Sequence, residues 1–205
     1  MFEKGRPFEH YSSTANQENE PELWIFGYGS LMWHPGFEYE QKTKGLLAGY
    51  ARRFYQGNTT FRGTEKLPGR VVTLVQVDST DQTPGVLFKV RGSQQIQCAL
   101  EHLLEREIGN GYSFSWVDVH EMTRNRIDSQ KCTIRALTCV ADSTNPLYLG
   151  PSDADDMADQ IAKAKGRAGP NTDYLFNLAF WAKKLFPDMI DDHLFELERL
   201  VSAIL

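Results

Sequence analysis

The sequence predicts an α+β fold in which a sheet curls around a core, helices pack on it and the C-terminal part is helical. Two observations carry this. Short runs rich in β-branched and aromatic residues, bounded by Gly, Pro or polar clusters, fill the chain up to about residue 140. From Gly150-Pro151 onward the apolar spacing turns helical, and strands first with helices last is an α+β order.

Residues 1–21 are polar and unpatterned, with Ser12-Ser13-Thr14 followed by Asn16-Gln17-Glu18, and read as a disordered or loosely attached tail. Residues 22–205 read as a single domain. Order begins with Leu23-Trp24-Ile25-Phe26, a short apolar run stopped by Gly27. Further strands are expected over 46–55, 71–77, 86–90, 114–119 and 133–140. A helix is expected over 94–107, with an N-cap from Gly92-Ser93 and a stop at Gly109. Ser152 caps a helix to about 165, and Asn171 caps another to about 186, where Pro187 ends it. A last helix runs from about 191 to the C-terminus. The chain has no internal repeat.

Composition narrows the function classes. With 41% hydrophobic and 24% charged residues among 205, a sizeable core can form. The net charge of −5 and the lack of any dense Lys/Arg run argue against nucleic-acid binding. No stretch approaches the ~20 apolar residues that cross a bilayer, so no membrane partner is expected. The N-terminus has no apolar signal region, which leads to the expectation of a cytoplasmic protein with reduced thiols. Cys98, Cys132 and Cys139 form neither an even set nor a CxxC pair, and each is read as a small buried hydrophobe. Phe176, Phe180 and Trp181 read as a core-facing stripe, and Asp153, Asp155 and Asp156 as charge at a helix N-terminus rather than a metal site.

Two local features bear on chemistry. Phe26-Gly27-Tyr28-Gly29-Ser30-Leu31 follows the first strand directly, and its glycines let the backbone turn and present N–H groups to a carboxylate or an oxyanion. It lacks the third glycine of a dinucleotide fingerprint and the Gly-Lys-Ser/Thr ending of a phosphate loop. A plain tight turn fits the same spacing. The second feature is Glu107. At ~100° per residue it falls within about 40° of Ile96, Leu100 and Leu103, whereas Glu101 and Glu105 project elsewhere. Burial and the negative end of the helix dipole both raise the pKa of a carboxyl group there, which suits a base near neutral pH. A carboxylate bent to solvent, or paired with a nearby Arg, fits the spacing equally well.

A serine hydrolase is disfavoured because Ser30 sits in Gly-Tyr-Gly-Ser, not in Gly-x-Ser-x-Gly. His10, His34, His102, His120 and His193 show no ligand-like spacing. Cys98 has no basic sequence neighbour to lower its pKa.

Taken in order, several segments resemble the ChaC branch of the γ-glutamylcyclotransferases. They are Trp24-Ile25-Phe26-Gly27-Tyr28-Gly29-Ser30-Leu31, Arg52-Arg53-Phe54-Tyr55-Gln56-Gly57, Arg62-Gly63 and Pro68-Gly69-Arg70-Val71-Val72-Thr73-Leu74. Arg106-Glu107 before a Gly-rich turn and Tyr112, Tyr148-Leu149-Gly150-Pro151 and Asn171-Thr172-Asp173-Tyr174-Leu175 complete the set. The resemblance covers about residue 22 to the C-terminus and implies a mixed, barrel-like sheet with surrounding helices. It further implies cleavage of glutathione to 5-oxoproline and cysteinylglycine, a small-molecule substrate, and no metal or cofactor. Carried over, Ile25, Phe26, Gly27, Tyr28, Gly29, Ser30 and Leu31 would form the substrate-binding loop and Glu107 the general base, with Arg70 and Tyr174 as secondary contributors. The turn Ile108-Gly109-Asn110-Gly111-Tyr112 is longer than the family pattern, and residues 121–131 depart from it, so substrate choice among γ-glutamyl amides is open. A non-catalytic protein that binds a γ-glutamyl or peptide partner on the same fold is the alternative from another class.

Overall fold

The computed structural model describes residues 20–78, 80–107, 110–122 and 132–205. The expected tail, the stop at Gly109 and most of the divergent 121–131 segment lie outside the described residues. Along the chain run β1 (Glu22–Gly27), β2 (Gln41–Ala48), β3 (Tyr50–Asn58), β4 (Gly69–Gln76) and β5 (Gln82–Arg91). Then follow α1 (Ser93–Arg106), β6 (Ser113–Glu121), β7 (Thr133–Val140) and α2 (Ala154–Lys163). The two-residue strands β8 (Lys165–Gly166) and β9 (Gly169–Pro170), α3 (Asn171–Leu185) and α4 (Asp192–Ile204) complete the order. The fold is α+β. The described chain divides into two compact units: residues up to Gly49 with Ser79–Val140, and Tyr50–Asp78 with Ala141–Leu205.

The first unit is a closed five-stranded barrel in the order β1-β5-β2-β6-β7. Its pairings are antiparallel except β1 with β7, which closes the barrel in parallel at Ile25 and Leu137. Closure leaves no sheet edge for these strands to expose. Leu23, Ile25, Phe26, Leu87, Phe88, Val119, Ala136 and Leu137 are at most 2% exposed. β1 is covered on both faces, which is why it reads as a continuous apolar run. Gly85 is glycine because a Cβ there would lie 2.5 Å from the Phe26 ring. Helix α1 buries Ile96, Ala99, Leu100 and Leu103 and packs against β5.

The expected strand over 46–55 is two strands, broken at Gly49, whose φ of 76° belongs to the left-handed region. β2 begins earlier than its apolar part because Gln41 to Lys44 pair despite being largely exposed.

In the second unit β3 and β4 form an antiparallel pair with a register shift between Arg53 and Gln56. Arg52, 2% exposed, is held by Asp191, with Nη2 2.8 Å from Oδ2. Asp191 also caps α4, its Oδ1 accepting the Leu194 amide at 3.0 Å. Asp153 stands at the N-cap position of α2, with Asp155 and Asp156 in its first turn.

Two expectations need correction. The core face of α3 is Tyr174, Leu175, Leu178, Ala179 and Ala182, not the aromatic trio. At ~100° per residue Phe176 and Phe180 fall on the opposite face. Phe180 is 56% exposed, and Lys184 Nζ covers it and Trp181 at 5.5 and 4.5 Å from the ring centroids. Of the cysteines only Cys139 is buried. Cys98 lies off the buried stripe of α1, and Cys132 just precedes β7. Among the described residues no helix is long and apolar enough to cross a membrane.

Candidate active site

Glu107 is the C-cap of α1, and its side chain continues the buried stripe: it is 16% exposed, while Glu101 and Glu105 face solvent. Its N–H donates to Leu103 O at 2.8 Å, and its carbonyl accepts from Asn110 N and Tyr112 N at 3.0 and 3.2 Å. These bonds close the helix end and fix where the side chain leaves it. Burial pushes the Glu107 carboxyl above its ordinary range, and the Arg106 cation opposes that rise. Of the readings left by the spacing, two are combined and the solvent-bent one is not: the carboxylate is turned inward and also paired, with Arg106 Nε 3.0 Å from Oε1.

The glycine loop leaves β1 through Tyr28 and Gly29 into a 3-10 turn, Ser30–Met32. Neither Gly27 nor Gly29 has a positive φ. Gly27 is required by close approach, since a Cβ there would lie 2.6 Å from Leu31 Cβ. The first bonded amide of the turn is Met32 N, which donates to Gly29 O at 3.0 Å. The amides of Gly29, Ser30 and Leu31 precede it, as the opening amides of a helix do. Of the seven residues expected in a binding loop, Ile25 and Phe26 are barrel core, and Tyr28 and Leu31 are 5% and 7% exposed. Solvent reaches Gly29 and Ser30.

Arg106, outside the expected site, joins this loop to Glu107, and Cys139, also outside it, bonds the loop and lies near the carboxylate. Arg106 Nη2 donates to Ser30 Oγ, and Nη1 donates to His34 O at 2.6 Å. Cys139 O accepts the Tyr28 hydroxyl at 2.6 Å, and its thiol lies in the field of the Glu107 carboxylate. Arg106 stands beside Glu107 in sequence, so its proximity was readable but its reach to Ser30 was not. No local signal pointed to Cys139. Ser30 Oγ meets a guanidinium, not an imidazole, so nothing here resembles a hydrolase triad.

Arg70 and Tyr174 belong to the second unit. Arg70 Nη1 donates to Phe54 O and Gly150 O at 3.0 and 3.1 Å, and Nε donates to Gln160 Oε1 at 2.7 Å. The Tyr174 hydroxyl accepts the Val72 amide at 3.4 Å, and its ring meets Phe54 edge-on. Among the described residues no group of three His, Cys, Asp or Glu side chains is placed to hold a metal ion.

Comparison with known proteins places this geometry. The glutathione-specific γ-glutamylcyclotransferase 1 of Danio rerio is 42% identical over 182 residues, covering 88% of this chain and 89% of the relative. The Homo sapiens protein of the same name is 40% identical, over 93% of this chain and 83% of the relative. A crystal structure of a γ-glutamylcyclotransferase specific to glutathione from yeast superposes with a TM-score of 0.81 at 28% identity, covering 90% of this chain and 97% of that one. The family model described as ChaC-like protein matches residues 23–204, nearly all of the described fold, and the chain belongs to that family.

Proposed function

We propose that this protein is a glutathione-specific γ-glutamylcyclotransferase, converting glutathione to 5-oxoproline and cysteinylglycine with Glu107 as general base and acid. The names of its relatives support the substrate and reaction. The observation that supports the base is an inward-turned carboxylate at the end of α1, raised by burial and joined through Arg106 to the Ser30 loop.

The substrate carries its own nucleophile. The α-amine of the glutamyl residue attacks its own γ-carbonyl carbon, forming the ring C–N bond, and the amide C–N bond to cysteine breaks. Between an α-ammonium and a lactam N–H the attacking nitrogen loses two protons, and the departing nitrogen gains two as it leaves as an ammonium. One carboxylate with a raised pKa can relay them in turn. Proximity does much of the rest, since intramolecular attack reaches effective molarities of ~10⁵ M or more. In this reading the early amides of the 3-10 turn, Gly29 to Leu31, hold the substrate's carboxylate or the oxyanion. The bonds of Arg70 and Tyr174 support a secondary, bracing contribution within the second unit.

The test is 5-oxoproline release from glutathione by wild type and Glu107→Gln. Wild type is expected to form product and the variant, still folded, almost none. Equal rates would remove Glu107 from its role. No product from glutathione or from other γ-glutamyl amides would favour a binding protein instead.

A further inference from the structure

Arg106 spends every edge of its guanidinium on this site. Nε faces Glu107 Oε1 at 3.0 Å, Nη1 donates to His34 O at 2.6 Å, and Nη2 donates to Ser30 Oγ. Two of the three acceptors belong to the loop after β1 and the third is the carboxylate, so one planar fork fixes both. An ammonium has neither the span nor the planarity to meet all three. The side chain is 18% exposed, and its contacts to Glu107 Oε1 and Ser30 Oγ, partly shielded from water, are stronger and more directional than surface ones, while the contact to His34 O is exposed. Among the described residues none pairs with or hydrogen-bonds to Glu107 Oε2. The arrangement therefore assigns different duties to the two oxygens.

We propose that Arg106 is a positioning residue for the cyclisation: it holds Glu107 by Oε1 and locks the Ser30–His34 loop to it, so that Oε2 exchanges protons with the substrate nitrogen. This rests on the cyclotransferase reading above. Burial and Arg106 act on the carboxyl in opposite directions, so the guanidinium also limits how far burial suppresses the ionised base. The other titratable groups facing this pair are Cys139 on β7 and His102 on α1, with His34 in the loop and Glu105 on α1 close to His102.

Arg106→Gln and Arg106→Lys separate these effects. Arg106→Gln is expected to lower kcat on the order of 10- to 100-fold, the cost of a misplaced catalytic group. It should also shift the acid limb of kcat/KM to higher pH, because the opposing cation is gone. Arg106→Lys keeps the charge, so its acid limb should return toward that of wild type while kcat stays reduced through the lost loop contacts. A second measurement, the ¹³C NMR titration of the Glu107 carboxyl carbon, needs no turnover. Its midpoint should rise in Arg106→Gln and return toward wild type in Arg106→Lys. If Arg106→Gln does not fold, Arg106→Lys decides: wild-type kcat in that variant overturns the proposal. A folded Arg106→Gln with lowered Tm but an unmoved acid limb and titration also overturns it, since that is what a purely structural arginine would give. If wild type releases no 5-oxoproline, the cyclotransferase reading fails, while the titration still reports whether Arg106 controls Glu107.

Discussion

The hydroxyl of Tyr28 donates to the carbonyl oxygen of Cys139 at 2.6 Å, tying the loop after β1 to the end of β7 across 111 residues of sequence. Both groups are buried, so the bond is sheltered from water. Tyr28→Phe removes the hydroxyl and keeps the ring. It is expected to cost about 1 kcal/mol in stability. It should also raise KM for glutathione more than it lowers kcat, because the loop loosens while Glu107 keeps its own contacts. Denaturant unfolding with steady-state kinetics checks both.

Gly27 tests whether the loop tolerates any bulk at its base. A methyl group there meets Leu31 Cβ at 2.6 Å, and a Cβ cannot rotate away. Gly27→Ala should cost about 1–3 kcal/mol from overpacking and displace the 3-10 turn, with loss of most activity. An alanine variant with wild-type rate and Tm would show that the loop shifts without consequence.

The three thiols should divide by environment. Cys139 is pushed well above the ordinary thiol range, first by burial and then by the nearby Glu107 carboxylate, against a smaller opposite effect of Arg106. Cys98 and Cys132 are exposed. A thiol-reactive chromophore should therefore label the exposed pair in the native protein at neutral pH and Cys139 only after unfolding, which site-resolved mass spectrometry would establish.

Asp191 both pairs with buried Arg52 and caps α4. Asp191→Ala removes the carboxylate from a buried ion pair with Arg52, and breaking such a pair costs about 3–5 kcal/mol. Asp191→Asn keeps a capping oxygen and loses the charge, so its Tm should fall between wild type and Asp191→Ala. Differential scanning calorimetry ranks the three.

His193 makes stability depend on pH. Its Nε2 accepts the Phe54 amide at 3.0 Å, a bond that only the neutral ring can make. Burial, with Arg53 next, lowers its pKa from 6.5 to about 4. Between those values the unfolded chain binds a proton that the folded protein refuses, so stability falls as pH drops from 6.5 to 4. At ~1.4 kcal/mol per pK unit, the loss from this group is about 3 kcal/mol over the window. Unfolding free energies at pH 7 and pH 5 should differ less in His193→Leu than in wild type.

Much of the fold was legible in the residues. β7 spans the expected residues, and the termini of α1 and α3 fall within a residue of the spacing and capping signals. The angular distance of Glu107 to Ile96, Leu100 and Leu103 put it on the core-facing stripe, but that spacing left open whether the carboxylate turns inward, pairs with an Arg or bends to solvent. The misread parts share a cause. The expected strand over 46–55 was broken by the backbone angle of Gly49, which a run of strand-compatible residues does not reveal. The aromatic stripe of α3 was assigned by hydrophobicity, whereas exposure followed its angle to Leu178. Cys98 and Cys132 were assigned by residue type, with neighbours unknown.

By itself the sequence determined the order and type of the elements, the family motifs and the helix face that carries Glu107, because each depends on residues a few positions apart. Tertiary structure alone decided that Arg106 meets Ser30, 76 residues away, and that Tyr28 meets Cys139. The second contact arises from barrel closure through the parallel β1–β7 pairing, and the first from α1 packing on β5, the antiparallel partner of β1. Closure brings distant residues together through geometry that no local periodicity encodes.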